Sequence, residues 1–330
     1  GFTSLPNAPI SKVATGTTVC VNGLYFTKFN SGSRYLVALA NNDSKATLMK
    51  KDYQVGGGPS YTSAWQNIDN AGLSGSYTNN YQPSFAMAEN KLVFNDGSST
   101  TKPYYWSGSG SATILTTDSD CPTCSIVCYH KNILFVAGDN SWPSRVYFSN
   151  LGLINTWTVT DFFDASAGDG TRVTGLFSAY DNLYVFKEKS IWCLSGSDRD
   201  SFQLQKVVDN IGTLSQQSIT SVNNLIYFTT AQGDNAIYDG AYAVKFLSQK
   251  IRNTIGGLNF NRASKALGIG FSTYKYVDND YYVAVSELGS GTHNEILMFD
   301  TAHQAWTKFS GLNPSSWTVA ETTSGQYALT

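Results

Sequence analysis

Asn182-Leu183-Tyr184-Val185-Phe186 is a polar turn residue followed at once by a short apolar and aromatic run. The same pattern recurs on both sides of this stretch, beginning at Asn90, Asn132, Asn224, Asn279 and, more weakly, Gly325. The steps between these turn residues are 42, 50, 42, 55 and 46. A period of this length, built from strand hairpins, is typical of a β-propeller, in which each repeat forms one blade of a ring.

The spacing predicts one all-β domain over residues 1–330, a β-propeller of seven four-stranded blades, with six blades as the alternative. Ser316–Ala320 and Gln326–Leu329 have the pattern of only the first hairpin of a seventh blade, and a half blade would leave open sheet edges. Residues 1–21, and Pro6–Val21 above all, are extended in character, so we expect them to supply the closing outer strands. In the six-blade alternative, the C-terminal hairpin continues into residues that follow Thr330.

Three local features complete the predicted fold. Inner strands of a propeller lie between neighbouring sheets and should be apolar on both faces, as Leu183–Phe186 is. Lys187-Glu188-Lys189 then indicates a solvated, charged hairpin tip. Gln249–Thr254 predicts a turn of helix between the fifth and sixth blades.

The composition favours protein contact over nucleic-acid binding. Charged residues make up 14% of the chain, against roughly 25% in typical soluble proteins. Their place is taken by Ser, Thr, Asn and Gly, and by aromatic residues that include 20 tyrosines. The formal net charge of −2 argues against binding of duplex nucleic acid along the outer surface. Passage of nucleic acid through a near-neutral channel is left as an alternative. The chain has no run of about 18 apolar residues, so we expect no transmembrane helix.

One stretch carries a resemblance to known proteins. It comprises Ser144-Arg145-Val146-Tyr147-Phe148-Ser149-Asn150-Leu151-Gly152 with Thr156-Trp157, then Gly168–Leu176 and Leu183–Trp192. These residues resemble propeller-fold structural proteins of bacteriophages and prophages, among them the tail nozzle and tail-stabilisation proteins of short-tailed phages. The resemblance is clearest over about residues 120–250, and its motifs are structural. From the residues alone, Arg145 at a strand start is expected to bond loop carbonyls or a carboxylate such as Asp161 or Asp164.

The resemblance implies a virion structural protein of a phage tail, at the nozzle, the tail tip or an adaptor, and not an enzyme. It implies a homo-oligomeric ring, with other tail or portal-adaptor proteins as neighbours and the genome passing nearby without specific binding. Assembly in the host cytoplasm agrees with the odd cysteine count of five, which is unlike a disulfide-stapled secreted domain. The chain lacks a clear second domain, so its position within the tail is left open. Gly56–Tyr81 and Ala165–Arg172 are the loops predicted to make the contacts.

Metal or redox chemistry has one candidate cluster, formed by Cys121, Cys124, Cys128 and His130. Cys124, Cys128 and His130 share one face of a strand, but they spread over about 20 Å at about 3.3 Å per residue. They therefore do not meet at one tetrahedral zinc ion. Cys121 and Cys124 pairing across their turn is a further alternative. We expect buried or incidental thiols, with no metal and no cofactor.

Hydrolase and glycan-binding functions are the alternatives to a structural role. Asp161, Asp164, Asp169 and Asp198 cluster in blade-linking loops, and Ser149–Trp157 faintly resembles the turn motif of sialidase blades, but nothing pairs the carboxylates for glycoside hydrolysis. His293 and His303 lack a nucleophile elbow nearby, and His303 indicates a hairpin residue. Tyr61, Tyr77, Tyr81 and Trp142 lie in loops and suit a sugar or a host receptor. No catalytic, cofactor-binding or metal-binding residue is therefore assigned.

Overall fold

The fold is an all-β propeller. The computed structural model describes residues 2–3, 19–42, 45–54, 58–59, 65–68, 81–115, 118–241, 243–259, 265–271, 280–322 and 325–329. In six of the seven sheets formed by these residues, neighbouring strands pair in antiparallel order and the sheet is completed before the chain enters the next, whereas the seventh sheet joins strands from the two ends of the chain. This local order is the one that the repeated hairpin pattern predicts.

Six of the sheets have four or more strands, and they form blades 1 to 6 in chain order. Blade 1 comprises β2 (Val19–Lys28), β3 (Arg34–Asn42), β4 (Lys45–Gln54), β5 (Gly58–Pro59) and β6 (Gln66–Asn67). Blade 2 comprises β7 (Ser84–Ala88), β8 (Lys91–Asn95), β9 (Tyr104–Trp106) and β10 (Thr113–Ile114). Blade 3 comprises β11 (Ile126–His130), β12 (Ile133–Ala137), β13 (Arg145–Asn150) and β14 (Leu153–Asp164).

The second half of the chain repeats this arrangement. Blade 4 comprises β15 (Val173–Ala179), β16 (Asn182–Lys187), β17 (Ser190–Ser195) and β18 (Gln203–Asp209). Blade 5 comprises β19 (Thr220–Val222), β20 (Leu225–Thr229), β21 (Asn235–Tyr238) and β22 (Val244–Phe246). Blade 6 comprises β23 (Leu267–Phe271), β24 (Asp280–Val285), β25 (Glu295–Asp300) and β26 (Ala305–Ser310). A 3-10 turn (Ser248–Ile251) and a short helix, α1 (Arg252–Gly256), lie between blades 5 and 6, as predicted.

A three-stranded sheet lies between blades 6 and 1. It consists of β27 (Thr318–Thr322), β28 (Gly325–Leu329) and β1 (Phe2–Thr3), and β1 pairs with β28 in parallel. β27 contacts β23 on one side and β2 on the other, so the ring of inner strands is continuous.

The prediction of seven four-stranded blades is wrong, and the six-blade alternative describes the blades that are complete among the described residues. The remaining sheet has three strands because the described N-terminal residues add only the two-residue β1 to it. Of the predicted closing segment Pro6–Val21, Val19–Val21 begin β2, and the rest lies outside the described residues.

The turns that set the period have the chemistry expected of tight hairpins. Glu89 and Asn90 have φ values of 48° and 59°, and the pairs Lys131/Asn132 and Asn223/Asn224 are alike. Positive φ at both central residues is the turn that matches strand twist, and asparagine tolerates it. In blade 4 the turn is Tyr180-Asp181, so Asn182 is already the first residue of its strand.

The two ends of the ring are distinct. Each inner strand begins at one end, here called the entry face, and turns into the second strand at the other, the hairpin face. The core lies between blades, where second strands such as β12 and β16 are almost wholly buried. Phe135, Val146, Leu176 and Val185, for instance, form one cluster shared by blades 3 and 4. No helix in the described part of the chain is long and apolar enough to cross a membrane.

Candidate contact surface

The outer edge of blade 3 exposes an unusual amount of apolar surface. Seven large hydrophobic side chains are exposed among the described residues, and four of them belong to this blade: Trp142 (53%), Leu151 (58%), Leu153 (49%) and Val159 (68%). Leu151 and Leu153 lie at the hairpin face, Val159 lies midway along β14, and Trp142 lies in the β12–β13 loop at the entry face. We call these four residues the blade 3 rim.

The edge strand of this blade differs from the corresponding strands of blades 4 to 6. β18, β22 and β26 each carry an exposed lysine, namely Lys206, Lys245 and Lys308. Such edge lysines discourage pairing with another chain. β14 is longer, with 12 residues, and the run from Leu151 to Thr160 contains no charged residue. Asp161 and Asp164 at its end are paired with arginines, and β14 lacks an exposed lysine like those on the edges of blades 4 to 6.

Trp142 is exposed but held in place. The Asp139 carboxylate accepts hydrogen bonds from the backbone N–H groups of Ser141 and Trp142, at 2.6 and 3.2 Å. Arg145 places its guanidinium carbon 4.2 Å from the Trp142 ring centroid and 3.5 Å from that of Phe162. An exposed aromatic ring that is ordered in advance loses little conformational entropy on binding, which is typical of interface hot spots.

Arg145 is fixed in turn by a carboxylate, as the sequence predicted. Its Nε and Nη2 donate to the two oxygens of Asp164 at 2.8 and 2.9 Å, in a bidentate pair. These hydrogen bonds raise the pKa of Arg145. The partner is Asp164, which lies directly opposite Arg145 in the β13–β14 register, and not Asp161.

The Ala165–Arg172 loop packs beside the Trp142 loop at the entry face. The Val173 N–H donates to Pro143 O at 2.7 Å, and Ser144 Oγ donates to Thr171 O at 3.0 Å. Residues 166–170 are exposed. The two loops therefore form one continuous surface, which supports the choice of this loop for contacts. Of the other chosen loop, Tyr81 is exposed, whereas Tyr61 and Tyr77 lie outside the described residues.

Lys187 corrects the prediction of a solvated charged tip. Its side chain is fully buried, and Nζ lies 2.7 Å from both oxygens of Asp169. Nζ also donates to Ala165 O at 2.6 Å and to Ser144 Oγ at 3.2 Å. Lys187 of blade 4 therefore holds the Ala165–Arg172 loop that follows blade 3. Lys189 at the hairpin tip is exposed. Burial opposes ionisation of Asp169, but hydrogen bonds from Lys187 and Thr171 hold its pKa below the ordinary carboxyl value.

The four candidate carboxylates do not assemble into a catalytic pair. Besides the partners of Asp164 and Asp169, Arg199 forms an ion pair with buried Asp161 at 2.9 Å. Asp198 accepts the Ser201 N–H at 2.9 Å, and hydrogen bonds from Ser201 lower the pKa of Asp198. None of the four lines the central cavity described below. Each of the four carboxylates therefore has a local ion-pair or hydrogen-bond partner.

The sialidase-like turn has a structural role in blade 3. Ser149 is buried, and its Oγ accepts the Leu134 N–H at 3.0 Å. The Trp157 indole N–H donates to Ile154 O at 3.1 Å within the same hairpin. These contacts shape the β13–β14 turn and leave no group aimed at a substrate.

The four cysteines whose side chains the structure describes are free thiols. Cys121 and Cys124 are buried, Cys128 lines the central cavity, and these three and Cys193 are free. Burial raises the pKa of both Cys121 and Cys128 to about 12. Among the described residues, no three side chains of ligand type are grouped to hold a metal ion.

The three histidines have local hydrogen-bond partners. Buried His130 places Nδ1 2.7 Å from Ser178 Oγ of blade 4, and no described residue bonds its Nε2. Burial, and then Lys131, lower the pKa of His130. His293 bonds Lys265 O at 2.7 Å, and exposed His303 pairs with Asp300 in its hairpin, as predicted. No sequence signal links His130 to Ser178, which lies 48 residues away.

The inner strands enclose a central cavity of about 540 Å³ that is closed at the entry face. Gln82 Nε2 donates to Lys265 O at 2.9 Å, and Gln217 Nε2 donates to Pro83 O at 2.8 Å. These bonds connect the segment that precedes the first strand of blade 2 with the segments that precede the first strands of blades 5 and 6. They therefore cross the ring and narrow its channel at the entry face.

Comparison with known proteins identifies the fold. No family model matches the chain, and no curated protein matches it. BBS1N, solved in complex with ARL6DN, is similar with a TM-score of 0.54 and 8% identity, covering 95% of this chain and 88% of that one. YCF48 bound to D1 peptide is similar with a TM-score of 0.51 and 11% identity, covering 89% and 84%.

The computationally designed Ika8 protein is also similar, with a TM-score of 0.48 and 11% identity over 94% of both chains. None of these structures is a phage tail protein. At such identities the likeness shows the fold alone, and the chain is a β-propeller.

Proposed function

We propose that this chain is a structural protein of a bacteriophage tail, at the nozzle, the tail tip or an adaptor, that assembles with copies of itself through the blade 3 rim. The observation that carries the proposal is the exposed pair Leu153 and Val159 on β14, within a run from Leu151 to Thr160 that contains no charged residue. A long uncharged segment at a sheet edge is a surface that monomeric proteins avoid, because it invites pairing with another chain.

The residues that resemble phage tail proteins support the same surface. Ser144–Gly152 and Thr156-Trp157 form the outer hairpin of blade 3, and Gly168–Leu176 overlaps the exposed loop beside it. Arg145 and Lys187 both lie within the stretch that resembles phage tail proteins. Arg145 stabilises the outer hairpin through Asp164, and Lys187 stabilises the loop through Asp169. A rigid rim is suited to ring assembly, since contacts that are ordered in advance cost less entropy. The rim therefore acts by shape, without catalysis.

Adding the missing edge charge tests this proposal. Val159→Lys gives blade 3 the lysine that blades 4 to 6 carry, and Gln205→Lys on β18 is the matched control, because Lys206 already protects that edge. Sedimentation and electron microscopy of the purified chain, and of particles containing it, should show rings or tail-tip density for wild type and Gln205→Lys. Val159→Lys should remain as single discs. Equal assembly by both variants would contradict the role of the rim.

A host-surface glycan receptor role is the second candidate, and Trp142 is the observation that favours it. The ring is exposed and ordered, and polar Asn140 and Ser141 precede it. Aromatic platforms of this kind suit the apolar face of a sugar. Binding of the purified chain to a glycan array, lost in Trp142→Ser and kept in Leu288→Ser, would support this role. The dispersed carboxylates lend no support to a sialidase-like hydrolase.

A further inference from the structure

The central cavity has the form of a binding site with one entrance. Its volume of about 540 Å³ lies within the range of ligand sites, roughly 300–1,000 Å³. The hydrogen bonds of Gln82 and Gln217 close the entry-face end. Ser178, which lines the cavity toward the hairpin face, is exposed. A molecule would therefore enter from the hairpin face and meet a closed end.

The walls are uncharged and most of their polar groups are already bonded within the protein. Ser84 bonds the backbone of Val127, Thr318 Oγ1 accepts the Phe26 N–H, and Ser178 Oγ is held by His130. Gln217 donates across the cavity end. The described residues that line the cavity include no Asp, Glu, Lys or Arg. Few side-chain hydrogen-bonding groups therefore remain for a ligand.

Two hydroxyls are exceptions. Tyr25 stacks on Phe85 at a centroid distance of 5.4 Å, and its hydroxyl bonds no described residue. Thr220 lines the cavity from blade 5, and its hydroxyl likewise bonds no described residue. Because burial, and then Cys128, raise the pKa of Tyr25, its hydroxyl stays protonated and able to donate at neutral pH.

The geometry points to a binding site in this cavity for a small, uncharged and largely apolar molecule that carries one or two hydrogen-bond acceptors. Phe85, Met87, Phe177 and Val319, which line the cavity and are partly exposed, would cover its apolar body. Tyr25 would donate to its acceptor. A charged ligand would lose its hydration without gaining a partner, and a sugar would bury several hydroxyls without partners. This inference is independent of the blade 3 rim.

The uncharged fluorescent ketone 6-propionyl-2-(dimethylamino)naphthalene (prodan) tests the site, since it combines an apolar body with one carbonyl acceptor. Titration into the wild-type chain should give saturable binding with a blue-shifted emission. Thr220→Trp should abolish binding by filling the cavity, whereas Ser221→Trp, an exposed neighbour on the same strand outside the cavity lining, should leave it unchanged.

A conservative variant keeps the test decisive if Thr220→Trp fails to fold. Tyr25→Phe removes only the hydroxyl and should weaken prodan binding about five-fold, as expected for one hydrogen bond. Equal binding by wild type, Thr220→Trp and Tyr25→Phe would overturn the site, as would an absence of saturable binding. Displacement of prodan by millimolar maltose would overturn the ligand class in favour of sugars.

Discussion

Replacing Asp169 with asparagine should destabilise the propeller, because Asp169 is the one carboxylate among the described residues that pairs with buried Lys187. Asparagine preserves the size and one acceptor oxygen, so the change isolates the charge. Losing one partner of a buried ion pair costs about 3–5 kcal/mol, because the other charge is left without compensation. The Asp169 side chain is 31% exposed, which places the expected loss at the lower end, about 3 kcal/mol.

Urea unfolding followed by tryptophan fluorescence measures this loss as a lower midpoint at constant slope. Asp209→Asn is the matched control, because Lys206 and Asp209 also lie 3.0 Å apart but are 44% and 64% exposed. An exposed pair of this kind contributes about 1 kcal/mol or less, so the control should change little. Lys187→Met combined with Asp169→Asn should cost less than the sum of the two single changes.

The pH dependence provides an independent check of the same pair. Since the folded-state pKa of Asp169 is depressed, its contribution is present above the ordinary carboxyl value of 3.8 and is lost as pH falls through the folded pKa. The difference between wild type and Asp169→Asn should therefore shrink only in acid. A midpoint shift no larger than that of Asp209→Asn, or one independent of pH, would refute the reasoning.

Three further outcomes are expected, each measured by equilibrium unfolding. Phe186→Ala should cost about 3–5 kcal/mol, because this ring is fully buried; an unchanged melting temperature would contradict the blade register. His130 has a lowered pKa, so stability should fall as pH drops below about 6.5, and His130→Gln should flatten that slope. Gly268→Ala should cost about 1–3 kcal/mol, because its Cβ would lie 2.3 Å from Ser218 O, while Gly256→Ala, with open space around it, should be neutral or slightly stabilising.

The propeller period was predictable because it rests on local chemistry. Asn90, Asn132 and Asn224 occupy positive-φ turn positions that asparagine tolerates, and each precedes a second strand that is apolar on both faces. Turn type depends on residues within the turn, and the apolar pattern of the following strand is itself visible in the sequence. The blade count was not predictable in this way, because it depends on the pairing of β1 with β28, from opposite ends of the chain.

The candidate contact surface was predicted only in part, because some of its features depend on contacts between blades. The Ala165–Arg172 loop could be chosen because glycine and exposed polar residues mark a loop. The burial of Lys187 could not be predicted, because its carbonyl and carboxylate partners lie in the loop after the preceding blade, 18 to 22 residues away. The apolar rim was also missed, since Leu153 and Val159 fit an ordinary strand pattern until the fold shows β14 to be an edge.

The few charged residues of blade 3 and the adjoining loops include three ion pairs. In blade 3 and the adjoining loops, Arg145 meets Asp164, Arg199 meets Asp161, and Lys187 meets Asp169. These three pairs neutralise one another's charges, and the run from Leu151 to Thr160 beside them contains no charged residue. The composition by itself indicates only a general tendency toward protein contact. In the proposed assembly, this uncharged part of blade 3 is where another chain would lose little hydration on docking.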